Sequence, residues 1–194
     1  HYDLPMSAIA KPNGHFELDK VIYPALPPHP DDKQRQPIAA NKPVMLEVPL
    51  SWPKSAGDDV EMIRLGLVSY PQKQLHSVEE GGIRRVKSIV LLNGFDLSTK
   101  PFVAEELNGI GGGNLATQLH HAGWDVWLFE YRPSPLLDAS ARFSNMDDIA
   151  AFDIPVAVRH IIKTVSGELG KPGLEDKTQI FAFTHCVGSA SMAM

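Results

Sequence analysis

The chain has 194 residues and a formal charge of −5, from 18 basic and 23 acidic side chains. That length suits one domain of ordinary size with its own core, and the mild acidity argues against a nucleic-acid partner, which needs a basic face. Apolar residues at 43% and charged residues at 21% are the balance of a globular protein, and no run of apolar residues is long enough to span a bilayer, so no transmembrane segment is expected.

The opening HYDLPMSAIA lacks the basic start and apolar run of a signal peptide, and it lacks a starting Met. The expectation is a processed chain or a piece of a longer one. The single cysteine, Cys186, allows no internal disulfide and fits a reducing, cytoplasmic compartment. Through residues 1–43, Pro24, Pro27, Pro28, Pro30, Pro37 and Pro43 interrupt any helix or central strand. This stretch reads as a proline-rich arm or linker lying on another surface, ahead of a domain at residues 44–194.

VMLEVPLSW and VEMIRLGLVSYP then read as two strands with one half-exposed face, joined through the turn-like SAGDD. VKSIVLL, residues 86–92, is a nearly continuous apolar run ending at Asn93-Gly94, the pattern of a buried parallel strand. Arg84, Arg85 and Lys87 read as a solvated approach to it. A loop over residues 95–113 ends in three glycines. Asn114 is a suitable N-cap, Leu115 and Leu119 stand one turn apart, and Gly123 stops the helix. The glycine run does not leave a strand and lacks the Lys-Ser/Thr pair of a phosphate loop. Asp96 reads as a turn residue, and His120 and His121 as surface residues near the helix end.

DVWLFEY, residues 125–131, is the next strand. Residues 144–165 read as helix split at Pro155, with Asp153 capping a second helix whose Val158, Ile161, Ile162 and Val165 line one face. Gly167, Gly170 and Pro172 close it, and TQIFAFT, residues 178–184, is a further buried strand. About five strands alternating with helices predict an α/β fold, a parallel sheet with helices on both faces and functional groups at the carboxyl ends of its strands. Asn93-Gly94 and His185-Cys186 both fall at such ends.

Thr184-His185-Cys186-Val187-Gly188 fits a nucleophile elbow, a strained strand-to-helix turn whose usual pattern is G-x-S-x-G. Cys186 takes the nucleophile slot and Gly188 the second small position, while Thr184 and His185 support the turn. The thiolate is the reactive form of cysteine, and the start of a helix favours an anion. The Val187 amide is then one half of an oxyanion hole. The loop after residues 86–92 supplies the other half, with the Phe95 amide as the donor. Ser189 is a rival nucleophile with poorer flanks, Val187 and Ser191. A buried inert thiol is the alternative for Cys186.

LLNGFDL, HHAGWDVWLFEYR, FDIPVAVRHI and FTHCVGS stand in this order across residues 44–194, and together they resemble the α/β-hydrolase superfamily, in particular its acid-lipase-like branch. The cysteine elbow is similar to that of a hydrolase domain fused to GMC (cholesterol-oxidase-like) oxidoreductases. The resemblance implies the amino-terminal half of an α/β-hydrolase sheet, ending just after the elbow. It implies a hydrolase or acyltransferase acting on a small-molecule or lipid-like ester or thioester through an acyl-enzyme on Cys186. Asn93 and Thr184 depart from the His and Gly of the family pattern. In that family the catalytic acid and His follow the nucleophile in chain order. Only residues 187–194 follow Cys186 here, about 12 Å of helix, so the expectation is completion by further residues or a partner chain. No flavin signature or metal-ligand spacing is present, and no cofactor or metal is assigned. A non-catalytic scaffold or assembly subunit and a redox-sensing thiol remain as alternatives.

Overall fold

The computed structural model describes residues 21–34, 36–52, 59–104, 114–142, 145–170 and 175–194. The first twenty residues of the arm, most of the SAGDD segment, the glycine run, Ser144 and Pro172 lie outside the described residues. Six strands are present: β1 (Val44–Pro49), β2 (Met62–Tyr70), β3 (Ser77–Glu80), β4 (Ile83–Leu92), β5 (Asp125–Glu130) and β6 (Thr178–Thr184). The helices are α1 (Leu115–His121), α2 (Met146–Asp148), α3 (Ile154–Glu168) and α4 (Val187–Ala193), with a π-helical stretch, Ile149–Asp153, joining α2 to α3.

The strands form one mixed sheet in the order β1-β2-β5-β4. β5 and β3 share one edge of β4, and β6 takes the other. β1–β2, β2–β5 and β3–β4 pair antiparallel, whereas β4–β5 and β4–β6 pair parallel. The parallel sheet expected from strand–helix alternation is therefore confined to β5-β4-β6. Only those strands are linked through helices, α1 on the way to β5 and α3 on the way to β6, and parallel pairing needs such crossovers. β3 is absent from the sequence reading because all four of its residues are exposed and carry no apolar period. Gly81-Gly82, with φ of 61° and 77°, makes the two-residue turn that folds β3 back on β4.

The continuous apolar runs of β2, β4 and β5 are explained by cover on both faces, whereas β6, expected to be a buried strand, is an edge strand with Phe181 and Phe183 exposed. Leu65, Leu67, Val90, Leu92, Trp127 and Phe129 point to one face, where Ile154, Ala157, Ile161 and Val165 of α3 meet them. Their neighbours Val68, Tyr70, Ile89, Leu91, Val126 and Leu128 point to the other, beneath Ala116 of α1 and beneath Tyr23 and Leu26 of the arm. The described part of the arm thus lies on this chain's own sheet, closed by a bridge between Leu26 and Ile38. Asn114 caps α1 by accepting from the Thr117 amide at 2.8 Å, and Gly123 ends it at φ 85°.

Three expectations are corrected. Arg84 is not solvated; it is buried between β3 and β6. His120 is buried rather than on the surface, because its Nε2 sits 3.1 Å from the Pro71 carbonyl and the arm passes over α1. Asp153 caps no helix: Pro155 is absorbed by the π-helical stretch, which accommodates the missing N–H and the crowding ring, so helix continues from Met146 to Glu168. The cap is Asn145, which accepts from the Asp148 amide at 2.8 Å. Asp153 instead receives Arg132, whose guanidinium is fully buried and donates to it at 2.6, 2.9 and 3.1 Å. Arg132 also donates to the carbonyls of Pro49 and Leu50, tying the end of β1 to the end of β5.

Removing one partner of such a pair leaves an uncompensated buried charge. Asp153→Ala is expected to cost about 3–5 kcal/mol in urea unfolding, and a loss below about 1 kcal/mol contradicts this role of the pair.

Burial holds the pKa of His120 below its ordinary 6.5, and burial does the same for His160. The unfolded chain then takes the proton first. Stability is fully present above about pH 6.5 and drops as pH falls through the window below it. Urea midpoints measured down to about pH 5 are expected to fall, and less steeply in His120→Gln. An unchanged slope in that variant removes His120 from the account.

Candidate functional site

β5 and β6 flank β4 on opposite edges, and α1, which follows β4, packs on one face of the sheet while α4, which follows β6, packs on the other. Open sheets place ligands at such a switch point. The two chain segments there are those picked out by the sequence, residues 93–97 after β4 and residues 185–188 after β6. Strand pairing runs to the last residue, with Leu92 opposite Thr184, and the His185 amide donates to the Leu92 carbonyl at 3.2 Å.

Cys186 is exposed and sits at φ 54°, ψ −121°, a backbone conformation that a residue with a side chain rarely adopts. Such a conformation costs about 1–3 kcal/mol and persists only where the surroundings impose it. Two close approaches impose it here. A Cβ on Gly188 would lie 3.0 Å from the Asn93 carbonyl oxygen and 3.2 Å from the Leu92 Cβ. A Cβ on Gly94 would lie 3.1 Å from the Cys186 Cβ and 3.3 Å from Nδ1 of His185. A side chain at either position would have to push its neighbours back by a few tenths of an ångström, so the turn after β6 lies close against the loop after β4. Thr184, half-buried as the last residue of β6, does not interrupt this approach.

At the start of α4, Gly188 donates to the His185 carbonyl, while Ser189 and Ala190 donate to that of Cys186. The Val187 amide has no acceptor among the described residues. The Phe95 amide has none either, although its neighbour Gly94 donates to the Asn93 side-chain oxygen at 2.8 Å. Phe95 is exposed, and Asp96 turns the loop at φ 56°. The geometry thus brings Cys186, His185, Gly188 and the Gly94 side of the loop together, with two unpaired amides on the segments that meet.

Sequence reasoning missed two residues that hold the loop. Tyr131, immediately after β5, is buried and donates to the Asn93 carbonyl at 2.6 Å. Burial pushes its phenol well above the ordinary range, and Cys186 nearby adds to the rise. Glu130 is fully buried and accepts from the Thr99 amide at 2.8 Å, from the Thr99 hydroxyl and from the Tyr23 hydroxyl at 2.9 Å. The available signal was a Glu-Tyr-Arg run at the end of an apolar strand, three polar-tipped residues where solvent exposure was the simple expectation.

Among the described residues no hydrogen bond joins the Cys186 thiol to a base, and no group of three or more His, Cys, Asp or Glu is placed to hold a metal. No helix among them is long and apolar enough to cross a membrane. No protein-family model and no curated protein sequence matches the chain.

The backbone of Cys186 gives a direct prediction. Cys186→Gly removes the steric cost of the positive φ and is expected to raise unfolding stability by about 1 kcal/mol, net of the added chain entropy of glycine. A loss of stability in chemical denaturation indicates a relaxed turn at this position.

Proposed function

We propose that Cys186 is the nucleophile of an acyl-transfer site of the α/β-hydrolase type, acting on an ester or thioester. The observation that carries this reading is the positive φ of Cys186 at the start of α4, set where the ends of β4 and β6 meet, on segments whose Phe95 and Val187 amides have no acceptor among the described residues. Strain of this kind at a strand-to-helix turn exposes a side chain above the sheet. The order β1-β2-β5-β4-β6, with parallel pairing through β5-β4-β6 at one end, supports the reading of the chain as the amino-terminal half of such a sheet.

In the proposed reaction the Cys186 thiolate attacks the carbonyl carbon, forming a C–S bond. The carbonyl π electrons move onto oxygen, where the Phe95 and Val187 amides stabilise the charge. The oxyanion collapses, the bond to the leaving group breaks, and an acyl-enzyme remains. Water or a second acceptor then takes the acyl group. A histidine outside the described contacts takes the thiol proton and delivers it to the leaving group, supplied by further residues or by a partner chain. Phe181 and Phe183 on β6 are both 43% exposed, and the outer edge of β6 is unpaired among the described residues. An apolar strand edge of that kind favours cover by additional structure.

The test uses the protein in its natural assembly, treated with p-nitrophenyl acetate and analysed by intact mass. One acetyl group on Cys186, absent in Cys186→Ala, with release of one equivalent of p-nitrophenolate, is the expected result. An assembly in which Cys186 stays unmodified while surface amines react contradicts the reading and favours a non-catalytic scaffold.

A further inference from the structure

The loop between β4 and the 3-10 turn at Lys100–Phe102 has an uneven pattern of restraint. Its first carbonyl, that of Asn93, accepts from the buried Tyr131 hydroxyl at 2.6 Å. Its last residue, Thr99, is held by Glu130 through both the amide and the hydroxyl. Asn93 closes the loop on itself, its Nδ2 donating to the Ser98 carbonyl at 2.8 Å and its Oδ1 accepting from the Gly94 amide. Residues 95–97 are the exposed remainder. Glu130 and Tyr131 are consecutive and lie on opposite faces of the sheet, so one strand end grips both ends of the loop.

Gly94 is the weak point of this arrangement. With no Cβ, it offers little resistance to rotation of the peptides on either side. Rotation there would change the direction of the Phe95 amide, and the Cys186 Cβ is the nearest of the surrounding atoms to the place where a Gly94 side chain would begin. A trans peptide is rigid, so fixing the Asn93 oxygen fixes the plane that enters Gly94. Two contacts fix that oxygen, the Tyr131 hydroxyl and the close approach of Gly188.

We infer that Tyr131 is a positioning residue for this site: by anchoring the Asn93 carbonyl it holds in place the start of the loop that carries the Phe95 amide. This rests on the acyl-transfer reading of Cys186. Tyr131 is buried and touches no reacting atom; it acts through the loop.

The experiment compares two reactions of the same thiol in the natural assembly. Acetylation of Cys186 by p-nitrophenyl acetate passes through an oxyanion, whereas alkylation by iodoacetamide does not. In Tyr131→Phe the ratio of acylation to alkylation rate constants is expected to fall about tenfold or more, with alkylation itself within about twofold of wild type. A ratio equal to wild type overturns the inference, whether both rates hold or both decline together. If Tyr131→Phe does not fold by circular dichroism, 4-aminophenylalanine in place of Tyr131 keeps the ring, offers a weaker donor to the same Asn93 oxygen, and is expected to lower the ratio in the same direction. Absence of acylation in the wild-type assembly, with alkylation intact, overturns the reading of Cys186 itself and the positioning role with it. Acylation that proceeds equally in all variants overturns only the positioning role.

Discussion

The contact between Gly188 and the end of β4 is the constraint on which the rest of the arrangement depends. With 3.0 Å between a notional Cβ and the Asn93 oxygen, only glycine lets the turn after β6 come this close. That approach leaves Cys186 no room for a relaxed turn and holds it at positive φ. It also brings the loop after β4 within reach of the cysteine, with Gly94 as the second residue at a close approach. A parallel pairing of β4 with β6 up to Leu92 and Thr184 delivers both segments to the same level. Shifting β6 by one residue would send its apolar face to the wrong side and separate them.

The carboxyl end of β5 supplies the support. Glu130, Tyr131 and Arg132 are all buried, and each has its polar atoms satisfied by a different part of the chain. Glu130 gathers the arm through Tyr23, the β4 loop through Thr99, and Ser134. Tyr131 takes Asn93, and Arg132 takes Asp153 and the end of β1. Burial of a carboxylate and a guanidinium is costly unless such partners are complete. The cost here is offset by hydrogen bonds that join segments far apart in sequence. The result is a rigid frame under two short, exposed turns, the division expected where positioned groups must meet a ligand.

Much of this was legible in the sequence because local physics and tertiary structure agree. The strands over residues 125–130 and 178–184, the Asn114 cap and the Gly123 stop follow from apolar runs and backbone requirements that tertiary packing does not override. The close approach after β6 was legible because a glycine, Gly188, follows directly on the strand-to-helix turn. Other features were hidden because they depend on distant partners. Asp153 looks like a cap from its neighbours; only Arg132, far along the chain, makes it an ion-pair partner. His120 looks exposed until the arm covers α1. The mixed sheet was not legible from strand–helix alternation, since the first strands are joined without crossover helices and β3 carries no apolar period. The roles of Glu130 and Tyr131 were invisible for the same reason, because nothing local distinguishes a polar tip in water from one aimed at a buried loop.

The proposed acyl-transfer site requires the Phe95 and Val187 amides to face one position beside Cys186. The most direct measurement is the amide resonances of isotopically labelled Phe and Val residues before and after a small aldehyde forms a hemithioacetal on Cys186. The account predicts that the Phe95 and Val187 amide protons move downfield together as the adduct oxygen accepts from them, while the remaining Phe and Val amides stay near their starting positions. An adduct that forms on Cys186 and leaves both resonances unmoved would contradict it.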